Sequence, residues 1–440
     1  MKQRLGVLGG GYVGLAVAVG FAERGFPVVL VESSEARFQA LTEGSFFSSE
    51  EDLVKAFEKV KEDGIIHITN RVEDIQEVVY LFVCVGTPEG KEGKTDLRPL
   101  WAAVEQSSPY LREDACFIIK STVPVGTGDQ VQAWFNEKGK AVQVLSYPEF
   151  LREGKTLEDF RQPSRIVMGG DPHHPRVKEL RHLLAEFSLP LLLTSRRDAE
   201  MIKYAANAFL ATKISFINQM AQLCEVLGSD IQTVAKGIGM DPRIGQAFLA
   251  AGIGYGGPCL PKDMASLMEQ GRMQDLEMPL LAAVTRINDD QRQWVRSQLR
   301  KQWGELKGRF LAVWGVTFKG GSEDVRESQA VSVLEDLLGE GVHIQLYDPF
   351  GLEPLKRQWE SRGVLESYAG QVQWAKNCWE SLERTEGLVI LTDWQEFKEV
   401  DLQRLKTELP SAFIVDGRNL FYPSMMDQLG FKYVSVGRKV

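Results

Sequence analysis

Leu5-Gly6-Val7-Leu8-Gly9-Gly10-Gly11-Tyr12-Val13-Gly14-Leu15, near the start of the 440-residue chain, reads as strand, glycine turn and helix in direct succession. Leu5–Leu8 is a short apolar run, and Tyr12–Arg24 carries helical periodicity that Gly25 can close. Val28–Val31 follows as a second buried strand, with Glu32 at its end. Gly9, Gly11 and Gly14 satisfy the GxGxxG spacing. Alone that match is weak. Between a strand and a helix, with a carboxylate ending the next strand, it becomes a dinucleotide fingerprint. Gly9 permits the tight turn, and Gly11 lets the backbone approach a pyrophosphate seated on the helix N-terminus. Gly14 lets helix and strand pack closely. Glu32 can accept hydrogen bonds from the adenosine ribose, and its charge opposes a 2′-phosphate. The expected cofactor is therefore NAD rather than NADP.

Outward from this unit, apolar strands recur at Val79–Val85, Cys116–Ile119 and Val142–Leu145, alternating with helix-like stretches, as in a parallel α/β sheet. The pattern changes at Asp198. Asp198 to Leu227 reads as one long helix with Asp198 as N-cap and Gly228 just beyond its end. The chain stays helix-rich to about Arg300, broken by the glycine-dense Gly252–Pro261. A strand returns at Phe310–Val316, then a helix near Val331–Leu338 and strands at His343–Tyr347, Leu388–Leu391 and Phe413–Val415. This second βαβ unit carries Gly315-Val316-Thr317-Phe318-Lys319-Gly320-Gly321 in place of GxGxxG, so it should bind something other than a second intact dinucleotide. The expected fold is α/β: two Rossmann-like domains joined by a central helical domain with a long helix. The expected limits are 1–197, 198–303 and 304–440.

Composition narrows the function. The net charge of −9 argues against a nucleic-acid surface. No apolar run approaches the roughly 20 residues that cross a bilayer, and no apolar leader precedes the first strand, so neither a membrane span nor a signal peptide is expected. Five scattered cysteines, Cys84, Cys116, Cys224, Cys259 and Cys378, suit reduced thiols in a cytoplasmic enzyme. Neither CxxC nor HExxH occurs, His173-His174 reads as a solvated turn, and no metal is expected.

The stretch richest in chemistry is Gly252-Ile253-Gly254-Tyr255-Gly256-Gly257-Pro258-Cys259-Leu260-Pro261-Lys262-Asp263. Four glycines and a proline before a cysteine make poor core sequence but a tight loop that can present a thiol. Lys262 can favour the thiolate, and Asp263 can act as base or position water. The other four cysteines read as small buried residues. Lys203 and Asn207, four apart on the long helix, share a face. Together they suit an oxyanion, although the pattern alone reads as an exposed polar stripe. Glu149 and Glu153, also four apart, read on their own as a short acidic helix.

Taken together the motifs resemble the nucleotide-sugar dehydrogenases over nearly the whole chain. They run GGGYVGL (9–15), CVGTP (84–88) with Thr95-Asp96-Leu97, STVPVGT (121–127), PEFLREG (148–154) and IKYAANAFLATKISFIN (202–218). DPRIG (241–245), GIGYGGPCLPKD (252–263), FKGGSEDVRES (318–328) and DGRN (416–419) complete the series. The resemblance implies two successive oxidations of a sugar C6 alcohol to a carboxylate with two NAD. Cys259 would act through a thiohemiacetal and a thioester. It implies that Lys203 and Asn207 stabilise the oxyanion, and that Thr122, Glu149, Glu153 and Asp263 handle protons and water. The cofactor side would hold Gly9, Gly11, Tyr12, Val13, Gly14, Glu32, Thr87, Thr122, Lys262 and Arg326. The substrate side would hold Glu149, Phe150, Leu151, Lys203, Asn207, Tyr255, Gly256, Phe318, Lys319 and Arg418, with Arg243 reaching the sugar across a dimer interface. The implied assembly is a homodimer through the central helix.

NAFLATKISFIN and DPRIG favour the branch that oxidises UDP-glucose to UDP-glucuronate. GDP-mannose dehydrogenases share PEFLRE and CLPKD and form the alternative, with other UDP-hexoses beside it. A non-catalytic nucleotide-sugar sensor is the reading from another class, and it is opposed by the presence of Cys259, Lys203 and Asp263. The chain departs from the family pattern at Tyr147, usually Asn, and at Pro258, often Ser. It departs again at Gly44–Leu53, which lacks the usual prolines.

Overall fold

The computed structural model describes residues 2–44, 48, 50–185, 190–410 and 413–438. The chain divides into two compact units, Met1–Ala206 with Ala265–Asp275, and Asn207–Met264 with Leu276–Val440.

In the first unit, strands β1 (Leu5–Leu8), β2 (Val28–Val31), β3 (Ile66–Thr69), β4 (Tyr80–Val83), β5 (Cys116–Ile119), β6 (Gln143–Ser146), β7 (Ile166–Gly169) and β8 (Leu191–Thr194) form one sheet. Their order is β3-β2-β1-β4-β5-β6-β7-β8. All neighbours are parallel except β6 and β7, which meet antiparallel at Ser146 and Gly169. Strands β1, β2, β4 and β5 are buried along their whole length, which is why they read as continuous apolar runs rather than alternating ones. Strand order reverses between β1 and β4, the switch point where α/β sheets open a ligand crevice. The first helix, Tyr12–Ala22, lies close on its neighbours: a Cβ at Gly20 would come 2.1 Å from the Phe160 ring.

Several local expectations are corrected. The first helix ends at Ala22, not Arg24, and Gly25 takes the left-handed conformation beyond it (φ +77°). The long helix spans Arg196–Leu227, and Ser195 caps it, its Oγ accepting from the Asp198 N–H at 3.1 Å. Asp198 instead accepts from the Thr194 hydroxyl at 2.9 Å. Glu149 and Glu153 do not form a short helix. Pro148 opens an irregular turn, Glu149 accepts from the Leu151 N–H at 2.6 Å, and Gly154 adopts φ +83°. Within Gly44–Leu53, residues 45–47 and 49 lie outside the described residues. Glu50 is described and buried. Its carboxylate takes the Gly154 N–H, the Thr156 N–H and the Thr156 hydroxyl at 2.7–2.8 Å, pinning the end of the PEFLREG turn.

In the second unit, β9 (Phe310–Trp314), β10 (His343–Tyr347), β11 (Val372–Trp374), β12 (Gly387–Ile390), β13 (Phe413–Asp416) and β14 (Lys432–Ser435) form an all-parallel sheet. The order β11-β10-β9-β12-β13-β14 repeats that of the first six strands. The fold is thus two Rossmann-like sheets with a central helical region, as expected. Asp348 follows β10 as Glu32 follows β2. It accepts from the backbone of Val316, Thr317, Phe350 and Gly351 and from the Trp394 indole, at 2.7–3.2 Å. That carboxylate is taken up by its own loop, by the loop after β9 and by the Trp394 indole, with more donors on it than the two backbone N–H groups on Glu32. No helix among the described residues is long and apolar enough to cross a membrane.

Candidate active site

The cofactor turn is built as the glycine spacing requires. A Cβ at Gly9 (φ +99°) would lie 2.7 Å from the Cys84 carbonyl oxygen, and one at Gly14 would lie 1.8 Å from the Gly9 carbonyl oxygen. At Gly11 the nearest atom is Arg37 Nη1, 3.5 Å away, so the fold leaves open the approach that a pyrophosphate needs. The helix beginning at Tyr12 and Val13 has no side-chain cap and no acid in its first turn, which leaves its N-terminus suited to an anion. Glu32 is buried, with Oε2 accepting from the Gly10 N–H at 2.8 Å and Oε1 from the Ser34 N–H at 2.7 Å. These residues fit NAD. Arg37 is a cation that sequence reading missed. Nothing in its spacing marks it, because its nearness to Gly11 depends on how the next helix packs.

The same unit holds a cluster at the ends of β4, β5 and β6. Thr87 donates to the Thr122 carbonyl at 2.8 Å, joining the CVGTP and STVPVGT loops. Lys203 is buried and bonds Glu149 at 2.9 Å. Burial alone would push the Glu149 carboxyl up. The Lys203 ammonium, the Leu151 N–H and the charge of Lys120 overcome it and hold Glu149 below its ordinary value. Phe150 lies under two cations, with Arg165 at 4.0 Å and Lys203 at 5.4 Å from its ring centroid. Leu151 and Glu153 are partly buried in the turn that follows. The expected exposed stripe of Lys203 and Asn207 is therefore absent, since both side chains are buried.

In the second unit, Cys259 is exposed and immediately precedes the helix Leu260–Arg272, its carbonyl accepting from the Asp263 N–H at 2.9 Å. Asp263, only 2% exposed, takes the Asn207 amide at 2.6 Å and the Lys262 ammonium at 2.7 Å. Lys262 thus engages Asp263, its neighbour in the first turn of this helix. The loop before Cys259 is stitched from far along the chain. Asn218 accepts from Gly252 N, Gln291 donates to the Gly252 carbonyl, and Asn288 both accepts from Tyr255 N and donates to the Tyr255 carbonyl, at 2.7–3.0 Å. Gln329 donates to that same carbonyl at 3.2 Å. These four amides were not legible as site residues, because each reads as an ordinary helix polar residue. Gly256 and Gly257 are held by close neighbours: Cβ atoms there would meet the Glu327 carbonyl oxygen at 2.2 Å and the Phe318 ring at 2.7 Å.

Arg418 donates to the Phe318 carbonyl at 3.1 Å and to the Leu391 carbonyl at 2.7 Å, and Lys319 lies 5.4 Å from the Phe318 ring centroid. Arg418 and Asn419 border a cavity of about 260 Å³ with Gln232, Lys236 and Gln246. Arg326 is tied to Asp324, and Arg243, its side chain 87% exposed, to Asp241. Neither is brought to Cys259 by these bonds. Among the described residues no group of three or more His, Cys, Asp or Glu is placed to hold a metal.

Three consecutive family models match: the NAD binding domain (residues 3–188), the central domain (197–290) and the UDP binding domain (312–423) of the UDP-glucose/GDP-mannose dehydrogenase family. UDP-glucose 6-dehydrogenase of Rhizobium meliloti (strain 1021) is 38% identical, covering 99% of this chain and 100% of the relative. The UDP-glucose 6-dehydrogenase of Bacillus subtilis (strain 168) is also 38% identical, over 99% of this chain and 93% of its own. A solved UDP-glucose dehydrogenase from Pyrobaculum islandicum superposes with a TM-score of 0.87 at 32% identity, over 99% of this chain and 97% of its own. The fingerprint turn, its buried glutamate and the thiol at a helix start therefore have one reading: this chain belongs to the UDP-glucose/GDP-mannose dehydrogenase family and carries that family's NAD-binding domain.

Proposed function

We propose that the chain oxidises UDP-glucose at C6 to UDP-glucuronate, a four-electron oxidation at one nucleophile. The observation that carries this reading is Cys259, exposed at a helix start whose first turn carries Asp263, bonded to Asn207 of the long helix. NAD, when bound, accepts hydride, two equivalents for each sugar. Gly9, Gly11, Tyr12, Val13 and Gly14 would seat its pyrophosphate and Glu32 its ribose, with Thr87, Thr122, Lys262 and Arg326 on the same side. Loss of a proton and a hydride from the C6 alcohol gives the aldehyde. Cys259 Sγ then adds to C6, the carbonyl oxygen takes a proton, and a thiohemiacetal forms. Its oxidation leaves a thioester, and water cleaves the C–S bond to release carboxylate and thiol. Lys203 and Asn207 donate to the C6 oxygen as charge develops, while Asp263, Thr122, Glu149 and Glu153 move protons and place the water.

Phe150, Leu151, Tyr255, Gly256, Phe318, Lys319 and Arg418 would hold the nucleotide sugar. Asn419 Oδ1, a buried acceptor with no hydrogen-bond partner, borders the cavity beside Arg418 and supports a polar ligand there. The relatives' names and the NAFLATKISFIN and DPRIG segments support UDP-glucose over GDP-mannose. The three-domain limits at 197 and 303 and the homodimer through the long helix belong to the same proposal. A panel of UDP- and GDP-sugars with NAD tests it. Complete turnover should yield two NADH per UDP-glucose and a carboxylate product. One NADH with free aldehyde, or preference for GDP-mannose, would overturn it.

A further inference from the structure

Lys120, between β5 and the STVPVGT loop, matches no motif assigned above. It is 4% exposed. Its Nζ lies 3.7 Å from the centroid of the Tyr147 ring, and Tyr147 is itself buried. Tyr147 stands where the family pattern usually has Asn, so this chain offers an aromatic face to the ammonium. Ile119 of β5 lies opposite Ser146 of β6, and the Tyr147 N–H donates to the Ile119 carbonyl at 2.8 Å, so Lys120 stands beside the turn that carries Glu149 two residues after Tyr147. The charged or titratable groups around Lys120 are Cys84 after β4, Tyr147 and Glu149 after β6, and Lys203 on the long helix.

A charge in this position is expensive. Burial pushes the Lys120 ammonium down to about 8, against the opposing pull of the Glu149 carboxylate and with Lys203 adding to the depression; the Cys84 thiol, itself pushed up to about 12 by burial, is uncharged there. Because the folded value lies below the unfolded one, the unfolded chain binds more protons between the two, and stability rises with pH through that window. Below it the fold carries a buried cation at net cost. Such a group is kept where its charge has a use. The use at hand is Glu149, which is itself held ionised against burial partly by Lys120.

We propose that Lys120 is a positioning residue, a second buried cation seated on the Tyr147 ring that keeps the Glu149 carboxylate ionised and bonded to Lys203. It rests on the functional reading above, in which Glu149 and Lys203 serve the oxidation. Lys203 alone would have to neutralise Glu149 and also meet the substrate oxygen. With Lys120 present, the cluster carries two cations for one carboxylate, and Lys203 retains charge for the reaction.

The test uses the full-length protein with UDP-glucose and NAD, reading kcat and KM across pH. Lys120→Met should bind NAD, melt no lower than the parent at pH 7, and lose about tenfold or more in kcat with little change in KM. Its acidic limb should move to higher pH, because Glu149 has lost a stabilising charge. Lys120→Arg, which stays charged, should restore most of kcat and remove the alkaline limb expected near pH 8 in the parent. Tyr147→Leu should move that limb to lower pH by removing the ring beneath the ammonium. An unchanged acidic limb in Lys120→Met, or the parent's alkaline limb persisting in Lys120→Arg, would overturn the inference. Should Lys120→Met not fold, the limb in Lys120→Arg decides alone. A parent protein inert toward every nucleotide sugar would instead overturn the functional reading.

Discussion

At the scale of the residue, the proposed chemistry turns on Cys259. In that proposal the first oxidation needs no covalent bond to the enzyme, whereas the second does. Cys259→Ala should therefore keep NAD and UDP-glucose binding and form no adduct, with kcat lower by about a thousandfold or more rather than KM alone raised. Cys259→Ser should add only slowly, through a poorer nucleophile, and trapped adduct is its expected sign in mass spectrometry. Near-normal glucuronate formation by Cys259→Ala would sink the mechanism. Cys259 and Asp263 were legible as candidates because they lie in a glycine-rich run that makes poor core, and Lys203 and Asn207 only through the family resemblance, since their spacing alone reads as an exposed stripe. Lys120, Arg37 and the four amides around the Cys259 loop were not. Their partners lie in other elements: Lys120 follows β5 while Tyr147 follows β6, and Asn288 reaches Tyr255 across 33 residues of chain. Such pairings exist only once the sheet and helices are assembled.

At the scale of the element, the β1 turn and the helix after it separate two roles of glycine. Gly14 packs against the turn, whereas Gly11 has room around it and is proposed to face the cofactor. Gly14→Ala sets a methyl group 1.8 Å from the Gly9 carbonyl oxygen, where rigid backbone must shift, and should cost about 1–3 kcal/mol or more. Gly11 sits at φ −78°, ψ −177°, extended backbone open to any residue, and a methyl group there meets only Arg37 Nη1 at 3.5 Å. Gly11→Ala should melt within about 0.5 kcal/mol of the parent yet weaken NAD about tenfold or more. Thermal melts with NAD titrations check the pair. Equal melting losses in both variants would show that Gly11 serves the fold and not the cofactor. Element cores were easy to read and their ends were not. Continuous apolar burial announces β1, β2 and β5, but the long helix starts at Arg196 because the Ser195 hydroxyl takes the Asp198 N–H, a choice between two good capping residues three apart.

At the scale of the whole molecule, the long helix carries an apolar stripe that its own chain leaves uncovered. Phe209, Phe216, Leu223, Val226 and Leu227 are 64%, 46%, 49%, 76% and 71% exposed. Spacings of seven and four keep Phe209, Phe216, Leu223 and Leu227 near one face, the arrangement that lets two copies of a helix pack about a two-fold axis. Burying such side chains is worth about 25 cal/mol per Å² of apolar surface, which favours pairing over exposure. The protein should therefore sediment at about twice its chain mass, and Phe216→Glu combined with Leu223→Glu should yield a folded monomer. In the proposed assembly Arg243 would link pairing to catalysis; its side chain is exposed and bonds Asp241. If the partner subunit receives it at the sugar site, the monomeric variant should raise KM for UDP-glucose while NAD still binds with the parent's affinity. Arg243→Ala should raise that KM equally and remain dimeric. A monomeric parent protein, or a Phe216→Glu/Leu223→Glu variant that stays dimeric, would remove the stripe from the interface. A monomer with the parent's KM would leave the dimer standing and free Arg243 of any role across it.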